Sequence, residues 1–318
     1  MSGKPIAGDA TFRITYPRWS FTVQTDPARF LHWLHRRMIE CGPYTLTLLE
    51  TGRFKLDGGA MFGIVPKPLW EQRIPADDQN RIELAMRCLL IESPDRCIVV
   101  DTGIGTHFSE KEQSIFGIDH STHTLTGSLK DAGVSTDDVT DVVFTHLHFD
   151  HSGGAVVRRG EQLVPQFPNA THHVQQRHWK AARAPNPKEQ NSFRDAILDP
   201  LADQVRWTFH DGPGTLGPGI HLHVVDGHTR AQQMVRITHD AHTFVYVGDL
   251  LPTHHHAGPA WTMAYDIDPL QTIDEKAGFL QQAHDNEWTL LFEHDPEVSM
   301  GTVRESERGW TIAPESIA

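Results

Sequence analysis

The sequence is poor in cysteine, has no long apolar run and carries fewer basic than acidic residues. Its three cysteines, Cys41, Cys88 and Cys97, form an odd set without the spacing of a zinc knuckle, so inert thiols are expected. Because no run of about 18 apolar residues occurs, no transmembrane helix is expected. The first residues lack the apolar core of a signal peptide, and a cytoplasmic protein is predicted.

The charge balance disfavours a nucleic-acid-binding protein. The chain has 41 Asp and Glu against 28 Lys and Arg, a formal net charge of −13 with His counted neutral. A protein that binds nucleic acid needs a basic face to neutralise phosphates, and the pairs Arg36-Arg37 and Arg158-Arg159 are too short to supply one. We therefore expect a small-molecule substrate, no nucleic acid and no membrane partner; a homodimer is compatible with the sequence.

One short segment concentrates residues that can bind metal ions. His146, His148, Asp150 and His151 lie within six residues, directly after the apolar stretch 142–144. Because side chains alternate along a strand, His146 and His148 are expected on one face, close enough to share an ion. After the strand ends, a turn would let Asp150 and His151 face a second ion. Imidazole and carboxylate ligands together suit zinc, iron or manganese.

This segment, His-x-His-x-Asp-His after an apolar strand, resembles the signature of the metallo-β-lactamase-fold hydrolases, and the chain is identified as a member. Four more segments resemble elements of that family in the family's order: 99–103, 226–229, 245–249 and 292–296. Residues 56–63 and 65–70 are similar to the branch that contains quorum-quenching N-acyl-homoserine lactonases.

The resemblance implies an α/β fold, the four-layer αββα sandwich, and a centre with two divalent metal ions, zinc first and iron or manganese as alternatives. The first ion would be held by His146, His148 and His228. The second would be held by Asp150, His151 and His294, and Asp249 would bridge the two.

Two further roles follow for carboxylates of this centre. Asp150 can carry a proton between the attacking water and the leaving group while it remains a ligand. Asp101 is expected outside the ligand set, where it would orient a ligand histidine through the ring N–H.

The pattern along the chain predicts two regions. Residues 1–43 form an N-terminal extension with a helix that begins at Asp26-Pro27 and includes Met38. Residues 44–318 form the catalytic domain, with a helix over 269–285 and the least regular stretch at 155–220. That stretch is either a lid over the metal centre or a surface loop without catalytic consequence.

The resemblance implies that a hydroxide held between the two metal ions attacks the carbonyl carbon of a small ester or lactone, with N-acyl-homoserine lactones among the candidates. Organophosphate or phosphodiester hydrolysis is an alternative, because the same nucleophile attacks phosphorus. A mononuclear iron persulfide dioxygenase is an alternative of another class, since it uses fewer of the same ligands. The complete ligand set disfavours a metal-binding protein without catalysis.

Two departures from known relatives bear on specificity. The commonest subclass of metallo-β-lactamases has a cysteine where this chain has Asp249, which disfavours antibiotic hydrolysis. The best-known lactonases carry a substrate-orienting tyrosine soon after the bridging aspartate, whereas Tyr265 is the first tyrosine beyond Asp249 here.

Overall fold

The computed structural model describes residues 12–16, 19–23, 38–307 and 309–315. Within these residues the strands and helices alternate along the chain, as in a layered α/β protein. The strands are β1 (Phe12–Tyr16), β2 (Trp19–Val23), β3 (Met38–Cys41), β4 (Tyr44–Asp57), β5 (Arg81–Glu92), β6 (Cys97–Val100), β7 (Asp141–Val143), β8 (Val156–Arg159), β9 (Gln162–Pro165), β10 (Thr171–Gln175), β11 (Arg206–His210), β12 (Gly214–Gly217), β13 (Ile220–Val225), β14 (Gln232–His239), β15 (His242–Tyr246), β16 (Thr289–Leu291), β17 (Met300–Ser306) and β18 (Gly309–Glu315).

Seven of the eight helices described lie between β4 and β11 in the chain, and the eighth lies between β15 and β16. They are α1 (Gly58–Phe62), α2 (Lys67–Trp70), α3 (Glu110–Phe116), α4 (Leu125–Asp131), α5 (Phe149–Ser152), α6 (Gln176–Arg183), α7 (Asp195–Gln204) and α8 (Pro269–Asp285). Short 3-10 turns occupy Gly153–Ala155, Gly248–Leu250 and His254–Ala257. None of the helices described is long and apolar enough to cross a membrane.

Two seven-stranded sheets form the body of the protein. The first has the order β11-β10-β7-β6-β5-β4-β3 and the second the order β12-β13-β14-β15-β16-β17-β18, while β1-β2 and β8-β9 are separate hairpins. In the first sheet, β6, β7, β10 and β11 are mutually parallel neighbours, and in the second β15 and β16 are parallel. The carboxyl ends of these parallel strands therefore lie at common sheet edges, where ligands bind in many α/β proteins.

Three apolar clusters show how the layers stack. Along β5 the side chains alternate: Met86 and Cys88 join the cluster between the first sheet and its helices, whereas Leu89 joins the cluster between the two sheets. The inter-sheet cluster also contains Ile237 and Tyr246 of the second sheet, and α8 covers the outer face of that sheet. The predicted four-layer αββα sandwich is confirmed.

The N-terminal helix was predicted on a segment that lies largely outside the described residues. Residues 24–37 are not among them, and Met38 begins β3, where it pairs with Thr47 in antiparallel register. A strand rather than a helix thus leads into the body, and the division at residue 43 stays a prediction.

Residues 155–220 are more regular than the sequence pattern indicated. They contain β8 to β12 together with α6 and α7, and β10 and β11 extend the first sheet. The helix α7 was missed because it contains Pro200, a residue that usually ends a helix. The helix α8 was predicted with its observed bounds, since Asp268 caps it and Pro269 stands at its first position.

Candidate metal centre

Three histidines converge at the carboxyl end of β7. His148 lies at the centre: its Nδ1 is 3.0 Å from Nε2 of His146 and 3.3 Å from Nε2 of His228. All three side chains are buried. Nitrogen ligands about 2.0–2.1 Å from a tetrahedral zinc ion lie about 3.4 Å apart, so this triangle fits one ion.

A second group lies beside the first. The Nε2 atoms of His151 and His294 are 3.1 Å apart, and Asp150 Oδ2 lies 4.0 Å from the former and 3.7 Å from the latter. Asp150 and His151 both lie in the short helix α5, whereas His294 lies shortly after β16. Two nitrogens and a carboxylate oxygen form a second set that could hold a divalent ion.

Asp249 lies between the two groups. Its Oδ2 is 3.2 Å from Nε2 of His228, and its Oδ1 is 3.3 Å from Nε2 of His294. The carboxylate follows β15 in a 3-10 turn that begins at Gly248, which has a φ of 50°. One carboxylate oxygen thus faces each group of histidines.

The polar atoms of the two groups are better satisfied when cations are bound than in the metal-free protein. Among the described residues, Oδ1 of Asp249 is buried and accepts no hydrogen bond. A buried carboxylate oxygen without a donor is costly, and a bound cation removes that cost. His148 Nδ1 faces two other ring nitrogens, which a shared cation would also explain, because neutral imidazoles bind metals through their lone pairs.

Four of the five imidazoles are hydrogen-bonded at their second nitrogen, and that of His148 faces Glu189 at 3.7 Å. In chain order, the partners are Thr145 Oγ1 for His146, Glu189 for His148, Asp101 and Glu293 for His151, Asp266 for His228 and the carbonyl of Ala85 for His294. Such partners fix the tautomer and the ring orientation of a ligand histidine.

Asp101 connects the end of β6 to this arrangement. Its Oδ1 accepts from the backbone N–H of Thr145 at 2.7 Å, and its Oδ2 lies 2.6 Å from the Thr145 hydroxyl and 3.1 Å from His151 Nδ1. The residue has a φ of 54°, a left-handed conformation that aspartate tolerates better than most residues. The structure therefore places Asp101 behind His151, on the side away from the second group.

Burial and opposing charge act differently on the ring pKa values. Burial lowers the pKa of His146 well below its usual range. Burial also opposes protonation of His294, but the carboxylates of Asp249 and Glu293 raise its pKa to about 9. A pocket that raises the pKa of a buried imidazole is electrostatically negative, which favours bound cations.

The sequence pattern did not reveal several residues that complete the site. Glu293 could have been suspected because it precedes His294; its side chain is buried, and its Oε2 lies 3.0 Å from Nδ1 of His151. Asp266 and Glu189 are single acidic residues without motif spacing. The segment that carries Glu189 lies against the three-histidine group, where the Phe193 and His148 rings are 4.9 Å apart. Part of the region 155–220 therefore does cover this group.

Tyr265 also belongs to the surroundings of the centre. It lies between two anchored neighbours, since Ala264 N–H donates to Ala60 at 2.8 Å and Asp266 contacts His228 at 2.9 Å. Burial and the charges of Asp150 and Asp57 raise the pKa of Tyr265 to about 12. The hydroxyl thus stays protonated at neutral pH.

Comparison with known proteins places this geometry in a family. The sequence profile of the metallo-beta-lactamase superfamily matches residues 86–294. A probable metal-dependent hydrolase from Staphylococcus aureus is 31% identical and superposes with a TM-score of 0.76, covering 87% of this chain and 98% of that one. The dizinc quorum-quenching lactonase AidC, solved with a product N-hexanoyl-L-homoserine, is 22% identical with a TM-score of 0.73, covering 88% and 97%.

A probable metallo-hydrolase of Mycobacterium tuberculosis is 22% identical over 277 residues, which cover 75% of this chain and 86% of the relative. The matched profile spans more than half of the chain and includes the histidine-rich motif, Asp249 and His294. The resemblance inferred from the sequence is therefore confirmed: this chain belongs to the metallo-beta-lactamase superfamily and is a metallo-hydrolase of that superfamily.

Proposed function

We propose that this protein binds two divalent cations side by side and hydrolyses a small ester or lactone. The observation that carries the proposal is the position of Asp249, whose two oxygens lie 3.2 Å and 3.3 Å from histidines of different groups. A carboxylate in that position can bridge two ions. Two adjacent ions are typical of hydrolytic centres that attack carbonyl or phosphoryl groups.

The ligand roles divide between the two groups of histidines. In the proposal, His146, His148 and His228 hold the first cation, and Asp150, His151 and His294 hold the second. With one oxygen of the bridging Asp249, each ion would have four protein ligands, and water or substrate would be the fifth ligand. When bound, the cations would lower the pKa of a water molecule toward about 7 and polarise the substrate oxygen.

Asp150 is the proposed proton carrier. Water adds to the acyl carbon, the bond from that carbon to the alcohol oxygen breaks, and the proton lost by water must reach the leaving oxygen. The side chain of Asp150 is only slightly exposed and its Oδ2 lies 3.7 Å from Nε2 of His294, so its other carboxylate oxygen can accept and return that proton.

Most of the large apolar side chains in the lactonase-like segments 56–63 and 65–70 are unavailable to a substrate. Met61, Phe62 and Trp70 pack in the core, where the Phe62 ring stacks on Trp70 and on His256. Leu69 is instead exposed. We propose that the protonated hydroxyl of Tyr265, close to Asp150, contacts the substrate and that esters and lactones with small acyl groups are preferred.

A structural neighbour that is a lactonase supports the inclusion of lactones among the proposed substrates. AidC is described as a dizinc lactonase and shares this fold at 22% identity, which supports the architecture and leaves the substrate to experiment. N-acyl-homoserine lactones, other lactones, aryl esters and phosphotriesters are therefore the panel for protein reconstituted with Zn²⁺, Mn²⁺ or Fe²⁺.

We expect measurable hydrolysis of a lactone or an aryl ester, and a fall of at least 100-fold in kcat for Asp150→Asn. The matched control is Asp211→Asn, which changes an exposed carboxylate. Phosphotriester turnover without lactone or ester hydrolysis would contradict the substrate class. Oxygen consumption with a persulfide by protein that holds one iron would contradict hydrolysis itself.

A further inference from the structure

The segment 186–193, between α6 and α7, packs against the three-histidine group. The carbonyl of Ser192 accepts from the backbone N–H of Phe149 at 2.9 Å, which joins the segment to the motif helix α5. On its other side, the Lys188 ammonium donates to the carbonyl of Asp266, the residue that holds His228. The segment therefore touches the supports of two proposed ligands.

Glu189 is the buried residue of this segment. Only 3% of its surface is exposed, although it carries a carboxylate. Its Oε1 accepts from the hydroxyl of Thr229, next to His228, and its Oε2 accepts from the Asn186 amide. A carboxylate buried to this extent is rare unless it is paired with a donor or a cation.

The unpaired group that faces Glu189 is the ring of His148. Among the described residues, Nε2 of His148 is buried without a hydrogen-bond partner, and it lies 3.7 Å from Glu189 Oε1. The opposite ring nitrogen, Nδ1, is the atom that faces His146 and His228. A neutral imidazole has one N–H, so whichever nitrogen carries the proton decides which one can bind a cation.

We infer that Glu189 is a positioning residue that keeps the proton of His148 on Nε2 and so presents the Nδ1 lone pair to the first cation. The inference rests on the proposed function, because it requires a cation at the three-histidine group. It also predicts that replacement of Glu189 weakens binding of the first cation and leaves binding of the second unchanged. The second group is oriented by Asp101, Glu293 and Ala85, all outside the segment 186–193.

The effect of this contact falls on one of the two proposed ions. Loss of the partner of a ligand histidine typically weakens metal binding about 10- to 100-fold. A general loss of structure would weaken both ions together. The two cases therefore differ in the binding constants of the individual sites, whatever the enzyme activity.

The experiment measures Zn²⁺ binding to metal-free full-length protein by competition with a chromogenic chelator. Glu189→Ala removes the carboxylate, Glu189→Gln retains an acceptor oxygen, and Glu161→Ala is the matched control at an exposed turn. The same changes are repeated with His294→Ala, which should leave the three-histidine group as the tighter site. Urea unfolding of each metal-free variant checks that the fold is retained.

We expect the parent protein to bind two equivalents of Zn²⁺. In Glu189→Ala, the affinity for one equivalent should fall about 10- to 100-fold, and the affinity for the other should stay unchanged. Glu189→Gln should restore binding to within a few-fold of the parent, and the effect should persist with His294→Ala. Unchanged binding in Glu189→Ala, or equal weakening of both ions, would overturn the inference while the proposed function stands. A parent protein that does not bind two equivalents would overturn both.

Discussion

The Nδ1 atom of His148 and the Nε2 atom of His228 lie 3.3 Å apart, although 80 positions separate the residues in the chain. One follows β7 of the first sheet and the other lies in the turn between β13 and β14 of the second. The two sheets must therefore stack in register before this contact can form. Any variant that shifts one sheet edge against the other should change metal binding, even if no ligand is replaced.

The bridging carboxylate gives the first prediction. Asp249→Ala removes the oxygens that face both groups of histidines and leaves two cations without a shared anion. We expect loss of one metal equivalent and a fall of about three orders of magnitude or more in kcat, with the fold retained. Elemental analysis and circular dichroism check this, with Asp211→Asn as the control. Two retained metals with near-normal turnover would show that Asp249 does not bridge.

The local part of the candidate centre could be predicted from the sequence because four of its proposed ligands follow one strand. His146, His148, Asp150 and His151 need only the end of β7 and the turn of α5 to reach their positions. The helix α8 could be predicted equally well, because its N-cap residue and the spacing of its apolar residues are both local features of the sequence.

The remaining parts depend on long-range packing. Glu189 reaches Thr229 over 40 positions and Asp266 reaches His228 over 38. Neither acidic residue has a neighbour in sequence that marks it as functional. Likewise, β10 and β11 were missed in a stretch rich in Pro and Gly. The sheet, and not the local sequence pattern, decides that β10 pairs with β7 and that β11 pairs with β10.

The close approach of two loops behind the ligands gives the second prediction. A Cβ atom on Gly154 would lie 2.1 Å from the carbonyl oxygen of Thr102, a backbone atom that cannot turn away. We expect Gly154→Ala to lower the free energy of unfolding by about 1–3 kcal/mol. In Gly278→Ala, where a Cβ meets no atom within 4 Å in α8, the free energy should rise by about 1 kcal/mol. Urea unfolding of both variants measures these changes, and equal changes in the free energy of unfolding would contradict the prediction.

A buried histidine outside the ligand set gives the third prediction. His178 Nε2 accepts from the backbone N–H of Leu147 at 2.8 Å, and its Nδ1–H donates to the carbonyl of Arg230 at 2.7 Å. It thus joins the motif loop to the turn of His228. His178→Phe keeps the ring but leaves both backbone groups unpaired, at a cost of about 1–3 kcal/mol each.

We therefore expect His178→Phe to unfold at lower urea concentration and to bind Zn²⁺ more weakly than the parent. The control is His242→Phe at an exposed strand position. If His178→Phe matches this control in both measurements, the bridge between the two loops has no energetic role.

The fourth prediction concerns pH. The Lys276 ammonium is buried and donates to the carbonyls of Gly258 and Trp261, and burial lowers its pKa from 10.5 to about 8 although Asp266 opposes the shift. Between these two pH values the unfolded chain holds a proton that the folded protein has released. The free energy of unfolding therefore rises with pH in that window.

Lys276→Met lacks this linkage. Relative to it, the parent should gain about 3 kcal/mol between pH 8 and pH 10.5, at about 1.4 kcal/mol per pKa unit. Urea unfolding at a series of pH values measures the difference, and Lys180→Met on an exposed helix face is the control. A difference that does not change across this range would contradict the lowered pKa.

A titration of the metal-free protein with Zn²⁺, in which bound metal and hydrolysis of the best lactone or aryl ester are followed together, tests the dinuclear hydrolase most directly. The account predicts that binding saturates at two equivalents per chain and that full turnover requires the second equivalent. Saturation at one equivalent with full turnover would contradict it.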